Sequence, residues 1–296
     1  MKLPKITNKQ EEILELLYRY RFLDRIQIQT LMNHKDRKTI NMWLRDLRAK
    51  QYVQWIYSPN DFAAKTKPAI YYIALNGIRH LKTLEWDDDT LIYPIEELRK
   101  RYRESSRSQT FIDRCQLIAD CCINLEQHNK NSKNSSRDSS ARGTTKSYTY
   151  VTEADYIDPE NDYNFLSESE LVNPQLCFVR QERKKNDKKT VESDDPVITN
   201  YLLEIFDATL PRYRLKKRLK DYVEYLDNRE WEGDDPEPII LLACARLTDL
   251  IYAKRGTRRL IAEIWEHDDE DRPHIRFSTI DKLKELGVRG KIWEEA

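Results

Sequence analysis

The sequence predicts a mixed α+β protein in which a small helical module precedes a larger α/β domain with a central sheet. Three short amphipathic segments open the chain, and two aromatic, β-branched segments follow them. Beyond residue 110, segments with strand character alternate with helical ones, which is typical of an α/β domain. With 296 residues, the chain is long enough for two domains of ordinary size.

Capping signals place the first two helices of the N-terminal module. Thr7 followed by Gln10 is a capping box, because the hydroxyl accepts a hydrogen bond from a helix amide and the Gln side chain returns one. Apolar residues at helical spacing then predict a helix over 8–20. Asp24 with Gln27 repeats the capping pattern and predicts a second, shorter helix.

A third helix is predicted from Asp36, which caps it, to about Lys50. One of its faces is aliphatic at helical spacing, and the opposite face is cationic and polar. Arg, Lys and Asn on such a face can pair with base edges in the major groove or with phosphates. The predicted DNA contacts on this helix are Arg37, Lys38, Thr39, Asn41 and Arg45.

Two strands are predicted next, over 52–57 and 69–74, with a loop between them that carries Lys65 and Lys67. Three helices followed by a hairpin with a basic loop form the outline of a winged helix-turn-helix. In such a module the loop is the wing, and its two lysines are predicted phosphate contacts.

The charge of the chain is unevenly distributed. Residues 1–84 hold 16 Lys and Arg against 7 Asp and Glu, a net charge of +9, and the rest of the chain balances it with −9. This asymmetry favours double-stranded DNA as the partner, and a winged helix that reads inverted half-sites predicts a homodimer. Two alternatives stay open: a solvated helix face, and a helical module that contacts other proteins.

Composition sets the expected domain limits. We expect the winged helix over 1–86, a connector over 87–110 and the α/β domain over 111–296. The segment 127–147 is rich in Asn, Ser, Lys and Thr, and it is predicted to be a disordered insertion because it cannot bury a core. The five cysteines lack Cys-x-x-Cys spacing, and no apolar run is long enough to cross a bilayer, so a cytoplasmic protein without a membrane partner is expected.

Four stretches of the chain resemble the replication-relaxation family of plasmid and mobile-element proteins. They are Tyr71-Tyr72-Ile73-Ala74-Leu75-Asn76-Gly77, Leu203-Glu204, Arg218-Leu219-Lys220-Asp221-Tyr222, and Phe277-Ser278-Thr279-Ile280-Asp281-Lys282-Leu283 with Gly290-Lys291-Ile292-Trp293. The resemblance implies an N-terminal winged helix and a C-terminal domain similar to the PD-(D/E)xK restriction-endonuclease fold.

That fold implies a metal site. In an active member an Asp and a Glu hold Mg²⁺ and a Lys orients the attacking water. The resemblance places Glu204 at the Glu position, with Asp207 as the second metal ligand and Lys217 as the catalytic lysine if the site is active.

The chain departs from the family pattern at each of the other positions. The Pro-Asp step is Pro174-Gln175, Asp207 comes one residue late on its strand, and Arg218 stands where the Lys is expected. A one-residue shift turns a strand side chain to the opposite face. We therefore expect no cofactor, with Mg²⁺ required only if the site is active, and a degenerate nuclease-like domain used for dimerisation or partner assembly.

The predicted function is that of a sequence-specific DNA-binding protein of a plasmid or other mobile element, which acts in replication or transposition initiation or in its regulation. Other replication or transposition proteins are expected partners. Two alternatives remain: a Mg²⁺-dependent DNA endonuclease or nickase, and a transcriptional regulator.

Overall fold

The computed structural model describes residues 3–57, 67–85, 92–135, 144–155, 172, 174–184, 196–229, 236–265 and 272–296. The chain divides into two compact units, Met1–Ile123 and Asn124–Ala296. No helix in these described ranges is long and apolar enough to cross a membrane.

The first unit begins with three helices: α1 at Asn8–Tyr20, α2 at Arg25–Leu31 and α3 at Arg37–Ala49. The capping boxes predicted before α1 and α2 are both formed, and the Asp36 carboxylate accepts bonds from two amides at the start of α3. These predictions are confirmed. The core of the unit lies between the helices, where the aliphatic side chains of α1 and α3 are fully buried.

A three-stranded antiparallel sheet packs beside these helices. It comprises β1 at Leu23–Asp24, β2 at Val53–Ile56 and β3 at Ile70–Ile73, in the order β1-β3-β2. The predicted hairpin strands are therefore present. Residues 58–66 of the loop between β2 and β3, with most of the predicted wing loop and Lys65, lie outside the described residues, whereas Lys67 is described and exposed.

Helix α4, Leu75–Leu81, follows β3 and approaches the hairpin very closely. A Cβ built on Gly77 would lie 2.4 Å from the carbonyl oxygen of Tyr52. No side chain fits this contact, so glycine is required by the close approach of two backbone segments.

Helix α5 (Ile95–Arg101), a 3₁₀ turn (Glu104–Ser106) and the first part of α6 (Gln109–Ser135) also pack within the first unit. The buried Glu104 carboxylate lies 2.8 Å from Arg21, and the Phe111 ring packs edge-on against Phe22. The contact boundary at residue 123 therefore falls later in the chain than the expected domain start at 111.

The second unit is built on a six-stranded sheet with strands in sequential order. Its strands are β4 Thr144–Thr152, β5 Leu176–Lys184, β6 Val197–Phe206, β7 Ile239–Cys244, β8 Ile275–Thr279 and β9 Glu294–Glu295. Strands β6, β7 and β8 are parallel and the remaining neighbours are antiparallel. The predicted mixed α+β fold with a central sheet is confirmed in this form.

Helices α7 (Arg212–Asp227) and α8 (Leu247–Ile264) connect the parallel strands and cover one face of the sheet. Leu202 and Phe206 of β6 pack there against Leu219, Tyr222 and Leu250 of the two helices. A short helix α9, Ile280–Leu286, follows β8.

The prediction that residues 127–147 are disordered is wrong at both ends of that segment. Helix α6 continues to Ser135 and β4 begins at Thr144, while 136–143 lie outside the described residues. The Asn129 amide group exchanges two hydrogen bonds with the backbone of Tyr148, and Glu126 accepts one from Tyr150. Polar side chains here are satisfied by the neighbouring strand, which composition alone does not reveal.

Candidate nucleic-acid interface and carboxylate site

The outward face of α3 carries the predicted DNA contacts. Arg37, Lys38 and Arg45 are exposed, and Asn41 is half-buried beside them. Within the described part of the chain, no carboxylate lies within ion-pair distance of these three cations. Met42, 59% exposed, stands among them and supplies an apolar surface of the kind that contacts thymine methyl groups. The face therefore combines free positive charge with one apolar contact point.

The N-terminus of α3 is held rigidly by Asp36. Its carboxylate accepts bonds from the amides of Lys38 and Thr39, both at 3.0 Å, and from the Thr39 hydroxyl at 2.5 Å. These hydrogen bonds, the Thr39 hydroxyl first, hold the pKa of Asp36 below its ordinary value. The Thr39 hydroxyl is thus already engaged within the protein, whereas its charged neighbours remain available.

Asp46 is the acidic residue at the flank of this face. Its Oδ2 accepts hydrogen bonds from Lys50 at 2.6 Å and from Gln10 of α1 at 2.7 Å. These bonds lower the pKa of Asp46, and they balance its charge on the side of α3 that packs towards α1. The cationic face is therefore not divided by an uncompensated acid.

Arg48 is a candidate contact that the sequence did not reveal. Its guanidinium carbon lies 3.7 Å from the centre of the Trp55 ring on β2. Trp55 also packs against Tyr71 of the sheet, yet it stays 39% exposed, and Tyr57 beside it is 40% exposed. This cation–π contact orients Arg48 at the junction of α3 and the hairpin without neutralising it. In the sequence, Arg48 resembles any other arginine on a helix surface. Its contact with Trp55 is visible only once α3 and β2 are placed side by side.

The carboxylate predicted to bind metal lies in the second unit, beneath α7. Glu204 of β6 has a side chain only 3% exposed, and its Oε1 lies 2.8 Å from both Nε and Nη2 of Arg218. Tyr222 follows Arg218 by one helical turn. The pKa of its hydroxyl is raised well above the ordinary value, first by burial and then by the nearby Glu204 carboxylate. Two nitrogens of one arginine thus contact the same oxygen of Glu204, in the core between the sheet and α7.

The other predicted members of that site point elsewhere. Gln175 Oε1 accepts a hydrogen bond from the Ile205 amide at 2.7 Å, so its side chain extends the β5–β6 ladder. Asp207 accepts bonds from the amide and hydroxyl of Thr209, at 2.9 and 2.5 Å, in the turn after β6. Lys217 is exposed on α7.

These residues do not fit Mg²⁺. The ion requires near-octahedral oxygen coordination with carboxylates as anchors, but Nε and Nη2 of Arg218 already contact Glu204 Oε1 at 2.8 Å. Among the residues that the structure describes, no group of three or more His, Cys, Asp or Glu side chains could hold a metal ion. A cation placed at Glu204 would also meet the positive charge of Arg218.

The comparison with known families covers most of both units. The model of the replication-relaxation family matches residues 14–236. The chain belongs to the replication-relaxation family. No curated protein and no solved structure matches the chain.

Membership links this replication-relaxation protein to replication or relaxation in plasmids and other mobile elements, and thus to DNA-related function. The matched range includes α3, the hairpin, Glu204 and Arg218. It ends before α8, so the C-terminal part of the sheet lies beyond it.

Proposed function

We propose that this protein binds double-stranded DNA sequence-specifically through its first unit, which acts as a winged helix, in the replication or transposition of a plasmid or other mobile element. The observation that carries the proposal is the outward face of α3, where Arg37, Lys38 and Arg45 are exposed with no described carboxylate as partner. The order of three helices and an antiparallel hairpin supports the winged-helix interpretation.

In the proposed complex α3 lies in the major groove. Lys38, Asn41 and Arg45 face base edges, because Arg and Lys pair with guanine and Asn with adenine. Arg37 and Lys67 contact phosphates on either side. Arg48, held on Trp55, adds a phosphate contact at the edge of the hairpin.

Base contacts and phosphate contacts can be separated by mutation. Arg45→Ala should weaken binding to the cognate site by roughly 10-fold to 100-fold and relax specificity at one position. Lys67→Ala should weaken binding to all sequences alike. Lys9→Ala is the matched control, because Lys9 is 59% exposed on α1 and paired with Glu12. Fluorescence anisotropy with selected and scrambled duplexes measures these effects; equal losses for Arg45→Ala and Lys9→Ala would reject the α3 interface.

We further propose that the second unit serves dimerisation or assembly with replication or transposition proteins, and that it does not cut DNA. The Glu204–Arg218 contact supports this, since the arginine occupies the carboxylate that a metal would need. Leu247 and Ile251, 64% and 42% exposed and one turn apart on α8, offer an apolar surface for assembly.

Two experiments test this part. Supercoiled plasmid incubated with the protein and Mg²⁺ or Mn²⁺ should remain intact; cleavage that Glu204→Gln abolishes would establish the nuclease alternative. Sedimentation of the protein with an inverted-repeat duplex should show two protomers per site, and Leu247→Asp with Ile251→Asp should weaken that assembly while single-site binding remains.

A further inference from the structure

A cavity of about 330 Å³ opens on the other face of the second unit's sheet. Successive strand residues face opposite sides, so Tyr201, which lines the cavity, points away from the side where Leu202 and Glu204 meet α7. The volume lies in the range of about 300–1,000 Å³ that is usual for small-molecule sites. The cavity is therefore separate from the Glu204 site.

Aromatic rings from three neighbouring strands form its floor. Phe178 of β5 and Tyr201 of β6 are stacked, with ring centres 4.7 Å apart and planes 10° from parallel. Tyr148 of β4 continues the row, 6.4 Å from Phe178. Trp293 lines the cavity beside them, and its indole N–H donates to the Val288 carbonyl at 2.8 Å, which fixes the ring.

Four cations surround these rings: Arg180, Arg276, Arg289 and Lys291. Arg180 pairs with Glu182 at 3.0 Å and Arg276 with Glu295 at 2.6 Å. In the described ranges, Arg289 and Lys291 have no carboxylate within ion-pair distance. The lining thus keeps two uncompensated positive charges on the segment that follows α9.

The arginines are oriented by the aromatic floor. The guanidinium carbon of Arg289 lies 5.7 Å from the centre of the Tyr148 ring, and that of Arg180 lies 5.5 Å from Tyr201. Such contacts position a cation without removing its charge. His128 packs against Tyr148, and its pKa is lowered, first by burial and then by the charges of Arg289 and Lys146. The positive field of the cavity therefore reaches a neighbouring titratable group.

We propose that this cavity binds a nucleoside phosphate, with the phosphate on Arg289 and Lys291 and the base against the aromatic lining near Trp293. Planar bases stack on aromatic and guanidinium surfaces, and paired cations beside them hold phosphate. The same chemistry is offered by a nucleotide within single-stranded DNA and by a free nucleotide. This site is independent of the proposed duplex contact through α3.

The test uses the full chain carrying Arg37→Ala and Arg45→Ala, so that the α3 face does not contribute. A fluorescein-labelled oligothymidine of about 12 nucleotides and free thymidine monophosphate, ATP and inorganic phosphate are the probes. Binding is read by anisotropy and by the emission of Trp293, with Trp293→Phe as the reference for that signal.

The variant Arg289→Ala with Lys291→Ala should weaken binding by about tenfold or more, because two charge-assisted phosphate contacts are lost. Arg289→Lys should retain part of the affinity. Lys216→Ala with Lys284→Ala removes two exposed cations elsewhere on this unit and should change nothing.

The probes distinguish the sources of the ligand. Tight oligothymidine binding that the free nucleotides do not displace identifies single-stranded DNA, whereas displacement by nucleotide at similar concentration identifies a free nucleotide. Binding of phosphate alone with the same affinity, no binding of any probe, or equal losses in the two double variants would overturn the proposal. The Arg289→Ala and Lys291→Ala variant with an unaltered α3 face should still bind duplex DNA. That result would show that loss of the cavity site leaves the proposed duplex site intact, so the two proposals can be rejected independently.

Discussion

Replacement of Arg218 by alanine tests the interpretation of the carboxylate site. In the folded protein both Nε and Nη2 of Arg218 lie 2.8 Å from Oε1 of Glu204, whose side chain is 3% exposed. The change would leave a carboxylate in the sheet–helix core without its main counter-charge. It would leave the rest of α7 untouched.

The expected cost follows from burial. Removing one partner of a buried ion pair costs about 3–5 kcal/mol, because the remaining charge stays desolvated. Arg218 is 33% exposed, so water can enter from its side and reduce the cost to about 2–4 kcal/mol. For a unit of this size that corresponds to a fall in Tm of roughly 5–12 °C.

Urea denaturation followed by far-UV circular dichroism measures the effect. Lys217→Ala, the exposed neighbour on α7, is the matched control and should stay within about 0.5 kcal/mol of the parent. Adding Glu204→Gln to Arg218→Ala should recover part of the loss. Measured together with Glu204→Gln alone, the double variant completes the cycle that gives the coupling energy of the pair. If Arg218→Ala behaves like Lys217→Ala, the ion pair does not hold Glu204 and the argument against a metal there fails.

Three further outcomes follow from the first unit. Gly77→Ala should lower the free energy of unfolding by about 1–3 kcal/mol in urea titration, because its Cβ would lie 2.4 Å from the Tyr52 carbonyl; an unchanged midpoint would contradict that close approach. Glu104→Gln should cost about 3 kcal/mol in the same assay, since this buried carboxylate lies within 4 Å of three arginines, Arg21 at 2.8 Å among them, and a loss below 0.5 kcal/mol would refute its role. The lowered pKa of Asp36 means that its cap stabilises α3 above the ordinary Asp pKa and is lost as pH falls through the lowered value. The protection of the amides at the start of α3, taken as their exchange rate relative to the intrinsic rate at each pH, should fall in acid, and Asp36→Asn should remove that pH dependence.

Features that depend on neighbouring residues in the chain could be predicted from the sequence. The capping boxes before α1 and α2 and the Asp36 cap need only residues two or three positions apart, and all three are present. The mixed character of the second unit, with helices and a central sheet, was also predicted from local patterns.

Contacts that join distant segments could not be predicted. Arg218 reaches Glu204 only because α7 docks on the sheet, and Arg289 meets Tyr148 across most of the second unit's sequence. The same reason explains the wrong prediction for 127–147, where Asn129 is satisfied by the backbone of Tyr148. Composition showed a polar segment, but not the strand that would pair with its polar groups.

The central claim is that the outward face of α3 binds duplex DNA by its charge. The most direct measurement is the salt dependence of duplex affinity, followed by anisotropy for the parent chain and for Arg37→Ala with Lys38→Ala and Arg45→Ala. Five cations of the first unit lie against the duplex in the proposed complex, in the groove or on phosphates: Arg37, Lys38, Arg45, Arg48 and Lys67. If each displaces about one counterion, log affinity should fall against log salt with a slope of about −4 to −5, and the triple variant, which keeps two of them, should bind weakly with a slope nearer −2. A flat salt dependence, or a triple variant with the parent's slope and affinity, would contradict the claim.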